Sequence, residues 1–182
     1  MELSYGRPES TEGRLPREVH VYDVLDELGI EYRRTDHGRP ANTMEDCLEI
    51  EKVLGAAICK NLFLCNRQKT NFYLLMMPGD KPFKTKELSK QINAARLSFA
   101  PEEKMEELLD IHPGAVSVMG LMNDHENQVK LLIDEDVLKD EFVGCHPCVN
   151  TSTVKIRTVD LLERFLPAVH HTFATVHLTG EA

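Results

Sequence analysis

Lys60 and Asn61 place an ammonium and an amide inside an apolar run, residues 57–64, that predicts a buried strand. Alternate side chains of a strand share a face, so these two point to opposite faces, and apolar neighbours occupy both. Burying an unpaired ammonium is costly. Lys60 is therefore expected to reach solvent at a strand end, to pair with an acid, or to face a polar cavity that a ligand enters. The third arrangement would make Lys60 a site residue.

A second cluster of side chains with chemistry lies in residues 144–153, where Cys145 and Cys148 flank His146. The two-residue spacing is typical of a redox dithiol, and His146 could lower the pKa of a thiol. A dithiol of the thioredoxin kind lies early in the chain at a helix N-terminus, whereas this pair lies late and leads into a β-branched run. A zinc site would need further ligands, for which the candidates are His170, His171 and His177. One close cysteine pair is only half of such a site.

The third interpretation of residues 144–153 is a tight turn that follows a strand. Gly144 and Pro147 would shape its backbone, and the side chains of His146, Asn150 and Thr151 would line a pocket. A turn that merely carries a surface histidine is the simpler alternative, and the residues of this segment alone do not separate the two.

The elements that must position both clusters alternate between helices and strands. Sequence patterns predict helices at 17–28, 43–54, 85–92, 101–109 and from Thr158 to a stop at Pro167. They predict strands at 30–34, 57–64, 72–77, 96–99, 116–121, 129–133 and 149–156. Thr43 and Gly55 suit the two ends of the second helix. The strand at 57–64 is expected to form a hairpin with 72–77. The strand at 116–121 is expected to form another with 129–133. Hairpins joined by helices favour a mixed, largely antiparallel sheet, so the expected fold class is α/β of the α+β type.

Length and composition limit the classes of protein that remain. The 182 residues can hold one sizeable core, and no apolar stretch approaches the roughly 20 residues that span a bilayer. Five cysteines, an odd number scattered through mostly apolar runs, indicate a reducing compartment. Residues 1–16 lack the apolar core of a signal peptide and are expected to form a flexible arm. We therefore expect a soluble, cytoplasmic, single-domain protein with no membrane partner.

The formal net charge of −9 argues against binding of nucleic acid along the whole surface, and no DNA partner is expected. The charge is unevenly distributed, because residues 81–96 hold five positive side chains against one acid, whereas residues 102–110 hold five acids against one lysine. The first segment predicts either a local basic strip or an ordinary solvated helix face.

Four segments resemble the YbaK/prolyl-tRNA synthetase associated domain family in their order and spacing. They are Lys60-Asn61-Leu62-Phe63-Leu64, Pro113-Gly114-Ala115-Val116-Ser117, Asn123-Asp124 and His146-Pro147-x-x-Asn150-Thr151. The chain is most similar to the freestanding trans-editing members, the PrdX and ProXp-ala proteins. The match covers roughly residues 17–170, which leaves 171–182 as a C-terminal tail.

The resemblance implies a mixed α/β domain in which helices surround a curved central sheet. It also implies an enzyme that hydrolyses the ester between a wrong amino acid, chiefly alanine, and tRNA specific for proline. Such enzymes act in trans on the acceptor end of tRNA, on errors released by prolyl-tRNA synthetase, which would be a transient partner. No cofactor and no metal is expected.

Ester hydrolysis needs a placed water, stabilisation of the developing oxyanion and a grip on the terminal adenosine. Under the resemblance, Lys60 would hold a terminal phosphate or a polarised carbonyl, and Asn61 would orient the ester or the water. His146 would bind the adenosine hydroxyls or assist proton transfer. These three side chains are the candidate catalytic residues.

The remaining candidates are expected to bind the substrate. Gly144, Cys145 and Pro147 would shape the pocket, and Asn150 and Thr151 would hold the loop. Lys84, Lys86 and Lys90 would contact phosphates of the acceptor stem. Met119 stands in Ser117-Val118-Met119, where many relatives have Thr-Pro-Phe or Ser-Pro-Phe, so it is either a pocket residue or a core residue.

The preferred amino acid and the reaction itself leave alternatives. Alanine follows only from the resemblance, and serine, glycine or another small residue stays open because one methylene discriminates by only about 1–3 kcal/mol. A module that binds the acceptor end without chemistry is the alternative function. A redox protein that depends on Cys145 and Cys148 is the other.

Overall fold

The computed structural model describes residues 1–41 and 43–181. Its strands are β1 (Ser4–Tyr5), β2 (Tyr32–Asp36), β3 (Cys59–Asn66), β4 (Phe72–Pro78), β5 (Leu97–Phe99), β6 (Val129–Asp134), β7 (Phe142–Cys145), β8 (Ser152–Arg157) and β9 (Phe173–Val176). Its helices are α1 (Pro16–Glu27), α2 (Met44–Leu54), α3 (Thr85–Gln91), α4 (Glu102–Leu109) and α5 (Glu135–Leu138). A C-terminal helix follows β8 in three segments, Thr158–Asp160, Leu161–Phe165 with π geometry, and Leu166–Ala168.

The strands form two sheets, of which one is antiparallel and the other mixed. The four-stranded sheet has the order β1-β2-β8-β7, and the five-stranded sheet has the order β5-β3-β4-β6-β9 with parallel pairs at β4–β6 and β6–β9. A bridge between Ile58 and Gly144 joins the sheets where β3 begins. The predicted mixed α/β, largely antiparallel fold class is confirmed, and its strands are divided between two sheets instead of one.

The predicted hairpin between 57–64 and 72–77 is confirmed as β3 and β4, which pair in antiparallel register from Cys59 with Pro78 to Cys65 with Phe72. This register sorts the side chains of the five-stranded sheet onto two faces. The inner face carries Phe63, Leu74 and Met76 in the large core shared with the other sheet. The outer face carries Leu64, Leu75 and Met77 in a smaller core that Leu88 of α3 covers.

The second predicted hairpin is wrong, because residues 118–123 form a 3₁₀ helix and not a strand. The hydroxyl of Ser117 accepts a hydrogen bond from the Met119 backbone N–H and starts this helix. The carboxylate of Asp124 then accepts the backbone N–H groups of Gln128 and Val129 and turns the chain into β6. Strand β6 lies between β4 and β9, so its pairing positions are filled by strands distant in sequence.

The predicted ends of α2 are confirmed. Thr43 and Asp46 form a reciprocal capping box at the N-terminus, which satisfies two backbone donors that the helix leaves unpaired. Gly55 ends the helix in the left-handed conformation, with φ at 68°. These caps fix where α2 stops relative to the strand that follows it.

The predicted arm at 1–16 and tail at 171–182 each contribute a strand. Ser4 and Tyr5 pair with β2, and β9 pairs with β6 at the edge of the five-stranded sheet. The ordered fold therefore extends beyond the predicted limits of 17–170. Backbone pairing at a sheet edge holds both segments, and the tail also buries Val176 and Leu178 in the smaller core. Ala182, in the predicted tail, lies outside the described residues.

Across the described ranges, every helix is too short or too polar to cross a membrane.

Candidate active site

A cavity of about 430 Å³ opens where β3 begins, between one side of α2, the loop after β4 and the loop after β7. Apolar side chains of α2 form one wall. The polar and backbone groups that face it include Glu51, Lys60, Asn61, Asp80, Gly114 and His146. The structure thus brings together the three candidate catalytic residues, although Lys60 and His146 are 86 positions apart by their numbers.

Lys60 lines this cavity on the outer face of the sheet. Its Nζ donates a hydrogen bond to the backbone carbonyl of Lys81 at 2.8 Å. An ammonium has three N–H donors, so this contact leaves two for another partner. In the part of the chain that the structure describes, no carboxylate lies within salt-bridge distance of Lys60.

The carbonyl that holds Lys60 is itself firmly placed. The Lys81 ammonium donates to Asp134 at 2.7 Å and to Asp136 at 2.8 Å. It also donates to the backbone carbonyl of Leu178 at 2.7 Å. These carboxylates hold the pKa of Lys81 above its usual value, against the effect of burial. Lys81 is therefore a structural cation, and Lys60 is the lysine left with spare donors at the cavity.

Asn61 leaves one hydrogen-bonding atom unused. Its Nδ2 donates to the backbone carbonyl of Cys59 at 3.1 Å, which orients the amide. Its Oδ1 is buried and has no hydrogen-bond partner among the described residues. Buried polar atoms are nearly always paired, and an unpaired one costs about 1–3 kcal/mol. An acceptor left open beside a cavity is suited to a donor that arrives with a ligand.

His146 contributes an acceptor from the opposite wall. Its Nδ1 lies 3.0 Å from the backbone carbonyl of Ser152, which can only accept, so Nδ1 carries the proton. Burial lowers the pKa of His146, the Ser152 carbonyl opposes this, and nearby His37 lowers it further. The ring is thus neutral at pH 7, with its lone pair on Nε2.

Two glycines allow the backbone to come close around the start of β3. A Cβ on Gly144 would lie 3.0 Å from the carbonyl oxygen of Ala57, and one on Gly79 would lie 3.0 Å from that of Ile58. Any side chain at either position would push this segment away. Gly144 thus lets β7 approach the start of β3 closely, while its predicted role in shaping the pocket stays a prediction.

Several predicted substrate-binding residues lie away from the cavity. Met119 is fully buried in the large core, which resolves its two interpretations in favour of packing. Cys145 and Pro147 are buried and do not line the cavity. Asn150 and Thr151 line a separate cavity of about 200 Å³. Lys84, Lys86 and Lys90 are exposed in or just before α3.

The burial of the cysteine pair argues against a redox dithiol. Burial raises the pKa of Cys145 to about 12. Burial, with Cys145 and Asp110 adding to it, also raises the pKa of Cys148. The reactive form of a thiol is the thiolate, so both side chains are inert at neutral pH.

Two of the three histidines considered as further zinc ligands, His171 and His177, have carboxylate partners. His171 Nε2 lies 2.9 Å from Asp124, and His177 Nδ1 lies 2.5 Å from Glu135. Within the described ranges, no three His, Cys, Asp or Glu side chains are grouped as a metal ion would require.

Glu51, Cys47 and Leu48 of α2 line the cavity and were missed by sequence reasoning. Glu51 accepts a hydrogen bond from the backbone N–H of Ile58 at 2.9 Å and so ties α2 to the start of β3. The available signal was the spacing of Cys47 and Glu51, four residues apart on one side of a helix that leads into this strand.

Comparison with known proteins finds a matching family for this chain. Residues 38–163 match a family model described as the aminoacyl-tRNA editing domain. The prolyl-tRNA editing protein ProX of Acetoanaerobium sticklandii is 33% identical over 158 residues, which are 87% of this chain and 95% of that protein. The prolyl-tRNA synthetase associated domain-containing protein 1 of Danio rerio is 31% identical over 152 residues, or 82% of this chain and 81% of that protein.

Solved structures share the fold. A structure described as a candidate trans-editing enzyme for prolyl-tRNA synthetase aligns with a TM-score of 0.67 at 16% identity, covering 91% of this chain and 99% of that one. A hypothetical protein aligns with a TM-score of 0.65 at 18% identity, covering 87% and 98%.

Proposed function

Because this chain belongs to the aminoacyl-tRNA editing domain family and is therefore a hydrolase of aminoacyl-tRNA esters, we propose that its substrate is tRNA specific for proline that carries a wrong amino acid. Alanine is the first candidate for that amino acid. The enzyme acts in trans on molecules that prolyl-tRNA synthetase has released, so the synthetase need be only a transient partner. The cytoplasmic location stays a prediction.

The reaction has modest requirements. The oxygen of a water molecule bonds to the carbonyl carbon of the ester, the bond from that carbon to the ribose oxygen breaks, and the ribose oxygen takes a proton. The products are the free amino acid and the uncharged tRNA. Catalysis then depends on positioning the ester and on stabilising the negative charge of the transition state.

The observation that carries the proposal is the Lys60 ammonium, which is held at the cavity by one backbone carbonyl and is left with two free donors. A cation in this position stabilises either the developing oxyanion or the phosphate of the terminal nucleotide. Low polarity around it strengthens both contacts relative to water. Lys60 supplies the charge that the reaction needs.

The other two side chains supply acceptors. Nε2 of neutral His146 accepts a hydrogen bond from an O–H donor, which the attacking water and the ribose hydroxyl beside the ester both are. Oδ1 of Asn61 accepts from the water or from the ammonium of the bound amino acid. A water held by acceptors keeps a lone pair directed at the carbonyl carbon.

The test is release of the amino acid from tRNA specific for proline, charged separately with alanine, serine, glycine or proline. We expect wild type to release alanine fastest and to spare proline. Lys60→Ala should lower kcat/KM by about 10²–10³, the effect of removing one donor to an oxyanion. Lys130→Ala is the matched control, because Lys130 is an exposed strand lysine of the same sheet that does not line the cavity.

Two results would contradict the proposal. If wild type binds the charged tRNA but releases nothing, the chain is a binding module without chemistry. If Lys60→Ala retains full activity while its thermal unfolding is unchanged, the cavity at β3 is not the site of hydrolysis.

A further inference from the structure

Phe99 on the short edge strand β5 exposes 64% of its surface, which is unusual for a phenyl ring. Half-buried Phe83, in the loop before α3, contacts it edge-on with ring centroids 6.2 Å apart. Phe83 also packs against the smaller core beneath α3. The pair therefore presents one anchored ring and one open ring to solvent, which is the arrangement on which a nucleic-acid base stacks.

Register places Phe99 on the same face of the sheet as Lys60. Phe99 pairs with Leu64 of β3, and Lys60 precedes Leu64 by an even number of residues, so the three side chains share the outer face. At about 3.3 Å per residue, the separation along β3 is about 13 Å. A single-stranded RNA segment of a few nucleotides covers that distance.

The positive charges of residues 81–96 surround these rings. Lys84, Lys86, Lys90 and Arg96 are exposed in or near α3 and β5. The one acid of the segment, Glu87, is occupied by hydrogen bonds from Thr179 and Gly180. The exposed ring and the charges together meet the two requirements of a single-strand binding surface, a stacking platform and cations for the phosphates.

The sheet separates this basic surface from the neighbouring acidic segment. Helix α4 carries the acids of residues 102–110 and buries Met105, Leu108 and Leu109 in the large core, so it lies on the inner face. Phe99 and α3 lie on the outer face. The uneven charge along the sequence thus becomes a difference between two sides of one sheet.

We propose that Phe99, Phe83, Lys84, Lys86, Lys90 and Arg96 form a basic-aromatic surface that binds the single-stranded 3′ end of the tRNA. A base next to the terminal adenosine stacks on Phe99, the lysines and the arginine contact its phosphates, and the terminal nucleotide continues into the cavity at Lys60. This assignment rests on the proposed function, because it takes tRNA as the substrate. It adds the path by which the substrate reaches the site.

The experiment measures the affinity of uncharged tRNA specific for proline by fluorescence anisotropy, together with kcat and KM for deacylation. Phe99→Ala should weaken binding roughly 5- to 150-fold, the range for loss of one stacked base, and should raise KM while kcat is unchanged. Phe99→Tyr should restore both values, since it keeps the ring. Phe173→Ala is the matched control, because Phe173 is an exposed phenylalanine on β9, at the other edge of the same sheet.

A second set of measurements removes the tRNA base that is proposed to stack on Phe99. Abasic substitution of the nucleotides before the terminal adenosine should weaken binding to wild type but add nothing to the defect of Phe99→Ala. Lys86→Ala and Lys90→Ala should each reduce the slope of log affinity against log salt by about 1.

The outcomes separate this proposal from the proposed function. If deacylation occurs but Phe99→Ala binds like Phe173→Ala, or if the abasic penalty persists in Phe99→Ala, the surface assignment is overturned and the hydrolase remains. If Phe99→Ala keeps its affinity for tRNA and loses affinity for prolyl-tRNA synthetase, the surface binds protein and the assignment also fails. If tRNA binding depends on Phe99 while no amino acid is released, the surface stands and the hydrolase does not.

Discussion

Three polar side chains at the cavity each keep one hydrogen-bonding group unused. Lys60 retains donors, Asn61 retains an acceptor at Oδ1, and His146 retains the lone pair of Nε2. In each case the backbone takes the other group of the same side chain and thereby fixes its orientation. The candidate site is therefore organised before any ligand enters, which is the arrangement that lets an enzyme avoid reorganisation at the moment of reaction.

The pH profile of the reaction tests the state assigned to His146. Burial lowers the pKa of His146 from its ordinary 6.5, so the ring should stay neutral and competent through neutral pH. We expect kcat/KM to be flat around pH 7 and to fall only below pH 6.5. Because the unfolded chain binds this proton more readily, the contribution of His146 to stability is present above pH 6.5 and is lost as pH falls.

Two variants test whether His146 causes the fall in activity at low pH, the acidic limb of that profile. His146→Gln should lower activity and remove the limb. His37→Gln removes the neighbouring ring that lowers the pKa of His146 and should move the limb towards higher pH. A limb that is the same in wild type and His146→Gln would show that His146 is not the group responsible for it.

At the scale of elements, the site depends on how closely the loop before β3 approaches β7. The Gly144 N–H donates to the carbonyl of Ala57 at 2.9 Å, and the bridge at Ile58 follows directly. This contact aligns the start of β3, which carries Lys60 and Asn61, with the loop that carries His146. The two halves of the site meet through backbone atoms of neighbouring sheets.

Gly144→Ala should damage both the fold and the site. Its Cβ would lie 3.0 Å from the Ala57 oxygen, so the backbone must shift, at a cost of about 1–3 kcal/mol in the free energy of unfolding. The same shift moves Lys60 relative to His146 and should lower kcat/KM. Chemical denaturation and the deacylation assay measure the two effects.

Gly79→Ala should act in the same direction, because it meets the neighbouring Ile58 oxygen at 3.0 Å from another side. Wild-type stability and activity in both variants would mean that the start of β3 can shift without consequence, contrary to the close packing observed.

Sequence reasoning succeeded where local chemistry decides the structure. The caps of α2 and the hairpin of β3 and β4 follow from short segments. Lys60, Asn61 and His146 were grouped through the family resemblance, and the structure places all three at one cavity. Sequence reasoning failed where distant strands decide. The apolar run at 116–121 was read as a strand, but the pairing positions beside β6 are taken by β4 and β9, and the run folds as a buried 3₁₀ helix. The wall supplied by α2 was missed for a different reason, because the spacing of Cys47 and Glu51 on one side of that helix was present in the sequence but was not used.

At the scale of the whole molecule, the N-terminal segment is tied to the fold by charge. Arg14 donates to buried Glu18 at 2.5 Å and to both carboxylate oxygens of Asp36. Burial favours a higher pKa for Asp36, but hydrogen bonds from Arg14, Ser152 and Arg34 outweigh it and hold the pKa well below its usual value. Residues once expected to be a loose arm thus anchor α1 against β2.

Arg14→Ala should lower the free energy of unfolding by about 1.5–3 kcal/mol, since it removes charge-assisted hydrogen bonds from two carboxylates, one of them buried. Arg7→Ala is the control, because Arg7 pairs only with exposed acids of α1, and it should change stability little. Urea denaturation measures both variants. Equal stability of Arg14→Ala and wild type would show that the N-terminal segment is not tied to the domain by this residue.

The contact between Lys60 and Lys81 has a consequence for the order of synthesis. The Lys81 carbonyl that holds Lys60 is itself anchored, through the Lys81 ammonium, to the carbonyl of Leu178, which lies 97 residues later in the chain. A nascent chain that has left the ribosome as far as β8 contains every candidate catalytic residue but lacks this anchor and strand β9. Until residue 178 emerges, the Lys81 ammonium has only Asp134 and Asp136 as partners, so the contact with Leu178 is the last of three that secure the carbonyl holding Lys60.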